Sequence, residues 1–407
     1  MKRHVLIVGA GASGMTAAIH AAREGAKVTL LEQKERPGKK LLSTGNGRCN
    51  LTNRDQKDEY YRCSQAGFPA SALGRFSAED TLEFFGRLGI VPKDRNGYIY
   101  PNSDQASSVL DALVQELEHL GVRTVCRCPV TKAAKEGETF ILSSSQGRFR
   151  GDALILAAGS RAAPATGSDG SGYRLAQGFG HRLVTPLPAL VQLRCREKHY
   201  KRLAGVRSEA GVRLFADGKL LAEDRGELQL TDYGISGIPV FQVSRYASMA
   251  LHRKQDVTAR INFLPNMDQR QAEKLMDQRR RDLGDRTCIQ WMNGLLNSKL
   301  SAVLLFLAGI QEKQPVKSVS RSQWNRLREL MTDYETGIAA ANPFENAQVC
   351  CGGVDTRQVK EETLESLLVE GLYFCGELLD VDGICGGYNL QWAWSSGAAA
   401  GRSAAAG

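Results

Sequence analysis

The sequence has no apolar run long enough to cross a membrane as a helix. The longest, LLNSKLSAVLLFLAGI, carries Lys299 and falls short of the roughly 18–20 residues that a membrane span needs, so we expect a buried helix there. The basic residues at the N-terminus precede only the short apolar run HVLIV, with no cleavage site after it, which argues against a secretory signal. We therefore expect a cytoplasmic protein without a membrane partner.

Cysteine patterns typical of metal sites or disulfide frameworks are also missing. The ten cysteines are scattered, no C-x-x-C occurs, and the six histidines have no metal-ligand spacing. We expect reduced, mostly buried thiols and no metal. There is no solenoid repeat, and no Ser/His/Asp arrangement that would indicate nucleophilic catalysis.

Negative charge is scarce in the middle of the chain. The formal net charge is +9, and the segment from Arg194 to Arg328, which includes EKHYKR and DQRRRD, carries nearly all of the excess. Such a segment is a solvated face, an attraction for an anionic substrate or cofactor, or a nucleic-acid surface. Because no nucleic-acid motif accompanies the charge, we favour the solvated face and do not expect a nucleic-acid partner.

The chain opens with a complete β-α-β pattern. HVLIV reads as a buried strand, MTAAIHAAREG as a helix, and AKVTLLE as a second strand ending at Glu32. Between the first strand and the helix, Gly9 permits a tight turn, Gly11 lets the backbone approach a pyrophosphate, and Gly14 permits close packing of helix on strand. Glu32 is placed to bind ribose hydroxyls. The motif predicts a dinucleotide site.

The remaining patterns divide the chain into three segments. Helices are predicted at SAEDTLEFFGRLG, capped by Ser77, and at SSVLDALVQELEHLG, capped by Ser107 or Ser108. Short strands are predicted over 122–151. Composition and pattern then divide the chain into segments 1–190, 191–334 (β-rich to 265, helical from 266) and 335–407.

Three segments favour FAD over NAD as the dinucleotide. A long polar loop follows Glu32, the strand LILAAGS ends in the small residues Ala158 and Gly159, and FCGELLDVDGICGGYNLQWAW supplies a strand, an acidic loop and a Gly-rich helix start. A helix N-terminus directed at the flavin ring would stabilise its reduced, anionic form. No second strand–G-x-G-x-x-G–helix unit exists for a separate nicotinamide domain.

The chain resembles the BaiN-like flavoproteins, the family of bile-acid C=C reductases and aminoacetone-oxidase-type enzymes. The resemblance rests on GAGASGMTAAI, GKKLLSTGNGRCNLTN, LILAAG, LTDYGISGIPVFQVS and GLYFCGELLDVDGICGGYNLQWAWSSG, and covers essentially the whole length. It implies an α/β fold in which a Rossmann-like FAD-binding domain is built from both chain ends. Its first part is 1–190 and its second part is 335–407, and a β-barrel-like and helical substrate domain is inserted over 191–334. The cysteines at positions 350, 375 and 385 depart from the small or hydroxyl residues of the family. Cys375 and Cys385 flank the loop expected to hold the flavin and are either a redox-active pair or, as we favour, small buried substitutes.

The resemblance and the motif together predict a set of FAD-binding residues. These are Gly9, Gly11, Ala12, Ser13, Gly14, Glu32, Gln33, Lys40, Leu41, Thr44, Gly45, Arg48, Asn50, Val130, Ala158, Gly159, Gly376, Glu377, Asp382, Gly387, Tyr388, Asn389 and Leu390. Candidate catalytic groups are Arg48, Tyr233 and Tyr388, each a possible proton donor.

The expected activity is that of an FAD-dependent oxidoreductase with a small-molecule substrate. We expect it to pass hydride from NAD(P)H through flavin N5 to an activated C=C bond, with a steroid-like or bile-acid-like enone implied by the resemblance. Two alternatives remain at this point. One is an amine oxidase of the aminoacetone type that uses oxygen. The other is a non-catalytic or RNA-directed flavoprotein, suggested by the basic segment.

Overall fold

The computed structural model describes residues 2–407. Its strands are β1 His4–Val8, β2 Lys27–Leu31, β3 Thr52–Asn53, β4 Tyr61–Cys63, β5 Pro92–Arg95, β6 Tyr98–Pro101, β7 Arg123–Val125, β8 Val130–Glu136, β9 Thr139–Ser144, β10 Gly147–Gly151, β11 Ala153–Leu156, β12 Leu183–Ala189, β13 Leu193–Cys195, β14 Arg207–Ala216, β15 Lys219–Leu230, β16 Gly234–Gly237, β17 Val257–Asn262, β18 Tyr334–Ala341, β19 Val349–Val354, β20 Leu372–Phe374 and β21 Val381–Gly383. Its α-helices are α1 Ala12–Arg23, α2 Phe68–Arg75, α3 Ala78–Arg87, α4 Ala106–His119, α5 Ser171–Gly178, α6 Ile238–His252, α7 Gln269–Asp282, α8 Cys288–Met292, α9 Ser298–Leu307, α10 Arg321–Thr332 and α11 Tyr388–Ala406.

The chain divides into two compact units. The first runs to Leu187 and resumes at Gln348, and the second is Pro188–Ala347. Both ends of the chain therefore build the first unit. The second unit extends beyond residue 334, where the sequence pattern predicted its end, because β18 pairs with β13 and β17 and so completes the sheet of that unit.

A five-stranded parallel sheet in the order β20-β11-β1-β2-β7 forms the centre of the first unit. β1, β2 and β11 are buried along nearly their whole length, which is why they read as continuous apolar runs. β20 comes from the other end of the chain and joins at the edge, with Leu372 opposite Leu154. The predicted Rossmann-like domain made from both chain ends is confirmed.

The last helix, α11, packs closely against the first. Gly397 and Gly401 lie one turn apart on α11, and a Cβ atom added there would lie 2.5 Å from the Ser13 carbonyl oxygen and 2.3 Å from the Ala17 carbonyl oxygen. Glycine therefore lets the two backbones approach. Next to this contact, Trp392 is fully buried and donates from Nε1 to the carbonyl of Gly376 at 3.1 Å. The C-terminal helix is thus fixed to the start of the chain.

The second unit contains a closed six-stranded barrel in the order β13-β16-β15-β14-β17-β18. Val257, Ala259 and Ile261 of β17 are fully buried and alternate with half-buried neighbours, as expected for a strand with one face inside a barrel. Helices α7–α10 follow, and Trp291 packs edge-to-face on Trp324 at a centroid distance of 4.9 Å. The predicted inserted barrel with a helical part is confirmed.

Two local predictions are wrong. The region predicted as β-rich contains α6, whose buried residues Val240, Val243, Ala247 and Ala250 follow the helical period. Helix α4 begins after Gln105, so neither Ser107 nor Ser108 is its N-cap. The cap at Ser77 is confirmed, because its side chain accepts from the Asp80 N–H and Asp80 accepts from the Ser77 N–H.

Three further features bear on chemistry. Among residues 2–407, no helix is both long and apolar enough to cross a membrane, and no three His, Cys, Asp or Glu side chains are grouped so that they could hold a metal ion. The ten cysteines are free thiols. Cys375 is fully buried, and burial raises the pKa of its thiol to about 12, which disfavours a reactive thiolate.

Candidate functional site

The turn between β1 and α1 combines two crowded glycines with one that faces open space. A Cβ atom added at Gly9 would lie 2.5 Å from the Ala157 carbonyl oxygen, and one added at Gly14 would lie 1.8 Å from the Gly9 carbonyl oxygen. Gly9 also has a φ of +104°, which favours glycine. At Gly11, by contrast, no atom of the described chain lies within 4 Å of an added Cβ. The opening turn therefore leaves room for a ligand only at Gly11.

Helix α1 begins at this open space with its first N–H groups available. Gly11 is the N-cap, and no side chain of residues 2–407 caps the helix. Ala12 and Ser13 form its first turn, which contains no acidic residue. An uncapped helix N-terminus of this kind is suited to an anion such as a phosphate.

Glu32 lies just after β2 and is held by two backbone donors. The Ala10 N–H donates to Oε2 and the Lys34 N–H to Oε1, each at 2.8 Å. Burial raises the pKa of this carboxyl group, and the backbone hydrogen bonds oppose that effect. Because each carboxylate oxygen can accept more than one hydrogen bond, Glu32 is able to receive hydroxyl donors as well.

Two neighbouring segments adjoin Glu32. The amide of Gln33 donates from Nε2 to the Gly167 carbonyl at 2.5 Å. The N–H of Cys128 donates to the carbonyl oxygen of Glu32 at 2.8 Å, so the chain just before β8, whose first residue is Val130, contacts Glu32. These contacts place Gln33 and the chain leading to Val130 beside the acid.

The end of β11 abuts the opening turn. The Cα of Ala158 would lie 2.8 Å from a Cβ added at Gly9, so the two backbones are in direct contact. Gly159 follows, with the hydroxyl of Ser168 3.0 Å from its added Cβ. The carboxyl ends of β1 and β11 therefore form one edge, where ligands of parallel sheets bind.

The polar loop after Lys40 folds over Leu41–Gly47 as two short 3-10 turns separated by a kink at residues 44–46, and it is held by its own hydrogen bonds. Thr44 Oγ1 donates to the Leu41 carbonyl at 2.6 Å, and Arg48 Nε donates to the Gly45 carbonyl at 3.3 Å. At its end Asn50 is buried, and its Oδ1 has no hydrogen-bond partner among the described residues. A buried acceptor of this kind is costly unless a ligand or water supplies the donor.

The closing segment of the chain lies against the opening one. A Cβ added at Gly376 would lie 2.3 Å from Ser13 Oγ. Next to it, Glu377 Oε2 accepts from Lys40 Nζ at 2.6 Å and from Ser160 Oγ at 3.1 Å. Ser160 was missed by the sequence analysis, although it directly follows LILAAG, whose small residues were the available signal.

The turn before α11 is rigidly built. Asn389 Oδ1 accepts from the Gly383 N–H at 2.8 Å, and its Nδ2 donates to the Gly383 carbonyl at 2.9 Å, so this amide closes the loop. Gly387 is the N-cap, with φ +100°, and a Cβ there would lie 3.0 Å from Asn50 Oδ1. Asp382 is buried 3.8 Å from an Arg62 nitrogen, and Leu390 packs against the apolar core.

The three candidate catalytic residues have different surroundings. The Tyr388 hydroxyl donates to the Asp55 carbonyl at 2.9 Å, and burial raises its pKa. Arg48 stacks on Tyr100 with its guanidinium carbon 5.7 Å from the ring centroid. Both lie in the first unit with the glycine turns. Tyr233 lies in the second unit, where its hydroxyl oxygen accepts from Asn342 Nδ2 at 3.0 Å.

The matches to known proteins span nearly the whole chain. The family model described as HI0933-like protein Rossmann domain matches residues 3–403. A 3-dehydro-bile acid delta(4,6)-reductase from Clostridium scindens is 45% identical over 401 residues, 98% of each chain. A ribosomal RNA dihydrouridine synthase from Escherichia coli is 30% identical over 395 residues, 96% of this chain and 95% of that protein. Among solved structures, the open conformation of a flavocytochrome c3 fumarate reductase matches with TM-score 0.49 and 17% identity, covering 99% of this chain and 78% of that chain.

Proposed function

The chain belongs to the HI0933-like Rossmann family, and from this premise we propose that it is an FAD-dependent reductase of a carbon–carbon double bond conjugated to a carbonyl group, with NAD(P)H as the hydride donor. The observation that carries the proposal is the 45% identity, over 98% of both chains, to a reductase of that kind of bond. The bile-acid-like enone is accordingly the first substrate class to test.

The residues present fit FAD. Gly11 faces open space beside an uncapped helix N-terminus, as a pyrophosphate requires, and Glu32 is oriented to accept from ribose hydroxyls. Asn50 Oδ1 is buried and lacks a donor among residues 2–407, next to the Gly387 turn where the flavin end is expected. When bound, FAD supplies hydride transfer between a nicotinamide donor and the double bond.

The side chains of this protein would bind and orient the FAD. Lys40 and Ser160 fix the Glu377 carboxylate, and the preceding Gly376 lies against Ser13, where the linking part of the dinucleotide would pass. Both polar atoms of the Asn389 side-chain amide form hydrogen bonds with the Gly383 backbone, so we assign Asn389 a positioning role. The Tyr388 proton is committed to the Asp55 carbonyl, which disfavours Tyr388 as the proton donor. The role predicted for Tyr233 stays a prediction.

The overall reaction consumes NAD(P)H, the enone and one proton that comes ultimately from solvent. NAD(P)H gives a hydride that ends on the β carbon of the conjugated bond, and a proton is added to the α carbon. The products are NAD(P)⁺ and the saturated carbonyl compound. A carbonyl in conjugation is needed because it accepts the negative charge that develops when hydride adds to the β carbon.

An anaerobic titration tests the proposal. The purified protein should show flavin absorption that is bleached by NADH or NADPH and restored by a 3-oxo-Δ4 bile acid in equimolar amount. The saturated product is then identified by mass spectrometry as a gain of two hydrogens. A protein that binds no FAD, or one that is bleached by primary amines and forms peroxide in air, contradicts the proposal.

Reduction of a uracil ring in RNA is the second candidate, favoured by the 30% identity to a ribosomal RNA dihydrouridine synthase. The densest basic cluster does not support it. Arg279 donates to the Asn293 carbonyl at 3.1 Å, and Arg280 donates to the Val319 carbonyl at 2.8 Å while stacking on Trp324. Both arginines therefore join helices of the second unit. Formation of dihydrouridine in a ribosomal RNA transcript would establish this alternative.

A further inference from the structure

The β5–β6 hairpin of the first unit forms a cluster with Arg48 and Asp104, and only Arg48 of this cluster is among the predicted FAD-binding residues. We call it the ledge and define it as Arg48, Lys93, Arg95, Tyr98, Tyr100 and Asp104. The guanidinium carbons of Arg48 and Arg95 lie 5.7 and 5.5 Å from the ring centroid of Tyr100. Two cations therefore share one aromatic ring.

The ledge has an excess of positive charge. Asp104 Oδ2 accepts from Lys93 Nζ at 2.6 Å and from Arg95 at 2.8 Å. The hydrogen bond from Lys93, with the charges of Arg95 and Arg48, lowers the pKa of Asp104, so this carboxylate stays ionised. Three cationic side chains against one carboxylate leave two positive charges in excess.

The neighbouring carboxylate, Asp94, does not neutralise the excess positive charge of the ledge. Side chains alternate along β5, so Lys93 and Arg95 share one face and Asp94 points to the other. There, Asp94 Oδ2 accepts from Arg54 Nε at 2.6 Å, and Arg54 also pairs with Glu79 at 3.1 Å. That second face therefore holds two carboxylates on one cation, and its Asp94 carboxylate is paired with Arg54 rather than with the ledge.

The ledge borders both loops of the proposed flavin site. A Cβ added at Gly45 would lie 3.4 Å from Tyr100 Cε1, and one added at Gly386 would lie 2.9 Å from Tyr98 Cε1. Tyr98 is itself 40% exposed. An aromatic and cationic surface thus begins where the closing glycine turn ends.

We propose that the ledge binds the anionic end of the substrate, so that the reductase acts on a small carboxylic acid that carries the conjugated double bond. Planar guanidinium groups held on an aromatic ring are suited to a carboxylate, which they bind through paired N–H donors. The inference rests on the proposed function for the identity of the reacting bond. It adds the charge and the carboxylate as requirements for recognition.

The experiment measures binding of two probes to the oxidised, FAD-loaded protein without NAD(P)H. The probes are 3-oxo-4-cholenoic acid and its methyl ester, which differ only in the carboxylate. We expect the acid to bind about tenfold more tightly than the ester, and this ratio to fall as salt is added. The ratio should approach one in Arg95→Glu, with ester affinity unchanged.

Arg87→Glu is the matched control. Arg87 is also exposed and pairs with a carboxylate, Glu83, but it lies on α3 outside the ledge. This variant should keep the wild-type preference for the acid. Equal affinities of acid and ester in the wild type, or equal losses in the two variants, overturn the proposal.

The outcomes also separate the ledge from the reaction. If neither probe reoxidises the reduced protein but Arg95→Glu removes the preference for the acid, the ledge stands and the proposed reduction fails. If the ester is bound and reduced as well as the acid, the reduction stands and the ledge fails. Binding of a uridine oligonucleotide that is lost only in Arg95→Glu, with no preference for acid over ester, overturns the assignment of a small carboxylic acid.

Discussion

The opening and closing glycine turns of the site look alike in sequence but differ in what surrounds them. In the opening turn, Gly9 and Gly14 are crowded by backbone, whereas Gly11 faces open space. In the closing turn both Gly386 and Gly387 are crowded, by Tyr98 and by Thr52 with Asn50. The first turn therefore offers a ligand its backbone, and the second offers mainly the groups around it. Glycine by itself does not distinguish packing from ligand binding.

The largest expected effect is that of replacing Gly14 in the opening turn, and the same replacement at Gly11 is the comparison. Gly14→Ala places a Cβ 1.8 Å from the Gly9 carbonyl oxygen, so α1 must move away from β1 and we expect loss of the folded protein. Gly11→Ala meets no atom of the described chain within 4 Å. It should fold normally, with weakened FAD binding. Thermal unfolding by circular dichroism and FAD titration measure the two effects.

The opposite ranking would contradict this division. If Gly14→Ala unfolds within a few degrees of the wild type while Gly11→Ala fails to fold, the packing roles assigned to the two glycines are wrong.

A second prediction concerns the tyrosine that begins the helix after the closing turn. Because its hydroxyl donates to the Asp55 carbonyl, Tyr388→Phe should lower the free energy of unfolding by about 1 kcal/mol and change turnover by less than about threefold. Tyr233→Phe is the matched substitution. If Tyr233 supplies the proton, as the sequence predicts, its loss lowers turnover by about 100-fold or more. Stopped-flow oxidation of the reduced protein by the enone measures both, and a collapse of turnover in Tyr388→Phe alone would reverse the assignment.

Replacement of Asn50 tests whether the side chains around the closing turn contact a ligand. Its buried Oδ1 lacks a donor among residues 2–407, so Asn50→Ala should weaken FAD binding by about tenfold and leave the stability of the FAD-free protein nearly unchanged. Fluorescence titration of the FAD-free protein measures the dissociation constant. Asn102→Ala is a suitable control because Asn102 is exposed directly after β6, outside this loop. A variant of Asn50 that loses stability but binds FAD normally would show that the residue serves only packing.

The last prediction, which has no effect on stability at neutral pH, concerns α1 behind the opening turn. His20 is buried between Phe76 and Phe84, and burial, with Arg402 and Arg23 nearby, lowers its pKa to about 3. The folded state therefore keeps His20 neutral while the unfolded state takes up a proton below its ordinary pKa near 6.5. Stability should fall as pH decreases from 6.5 towards 3, by at most about 1.4 kcal/mol per pH unit from this group.

His20→Leu should remove that part of the acid sensitivity, as measured by urea unfolding at a series of pH values. His119→Gln, at an exposed histidine on α4, should not. Parallel pH profiles for the wild type and His20→Leu would show that His20 does not remain neutral in the folded protein.

The local sequence predicted the opening half of the site in detail. From Gly9 to Glu32 the strand, turn, helix, second strand and acid are contiguous, so spacing along the chain carries the geometry. Resemblance to the BaiN-like family extended this to the whole length, and that resemblance is confirmed by the 45% identity to the bile-acid reductase. The helix α6 was missed because turn residues at its start concealed its helical period.

The sequence by itself determined the elements whose signals are local, above all the parallel strands, the opening glycine turn and the acid that follows it. Only the tertiary structure decided the contacts between distant segments, such as those of Glu377 with Lys40 and Ser160, or of Asn50 with Gly387. The physical reason is that hydrogen bonding and close packing between segments hundreds of residues apart depend on how the sheet orders its strands. No period or spacing within one segment records that order.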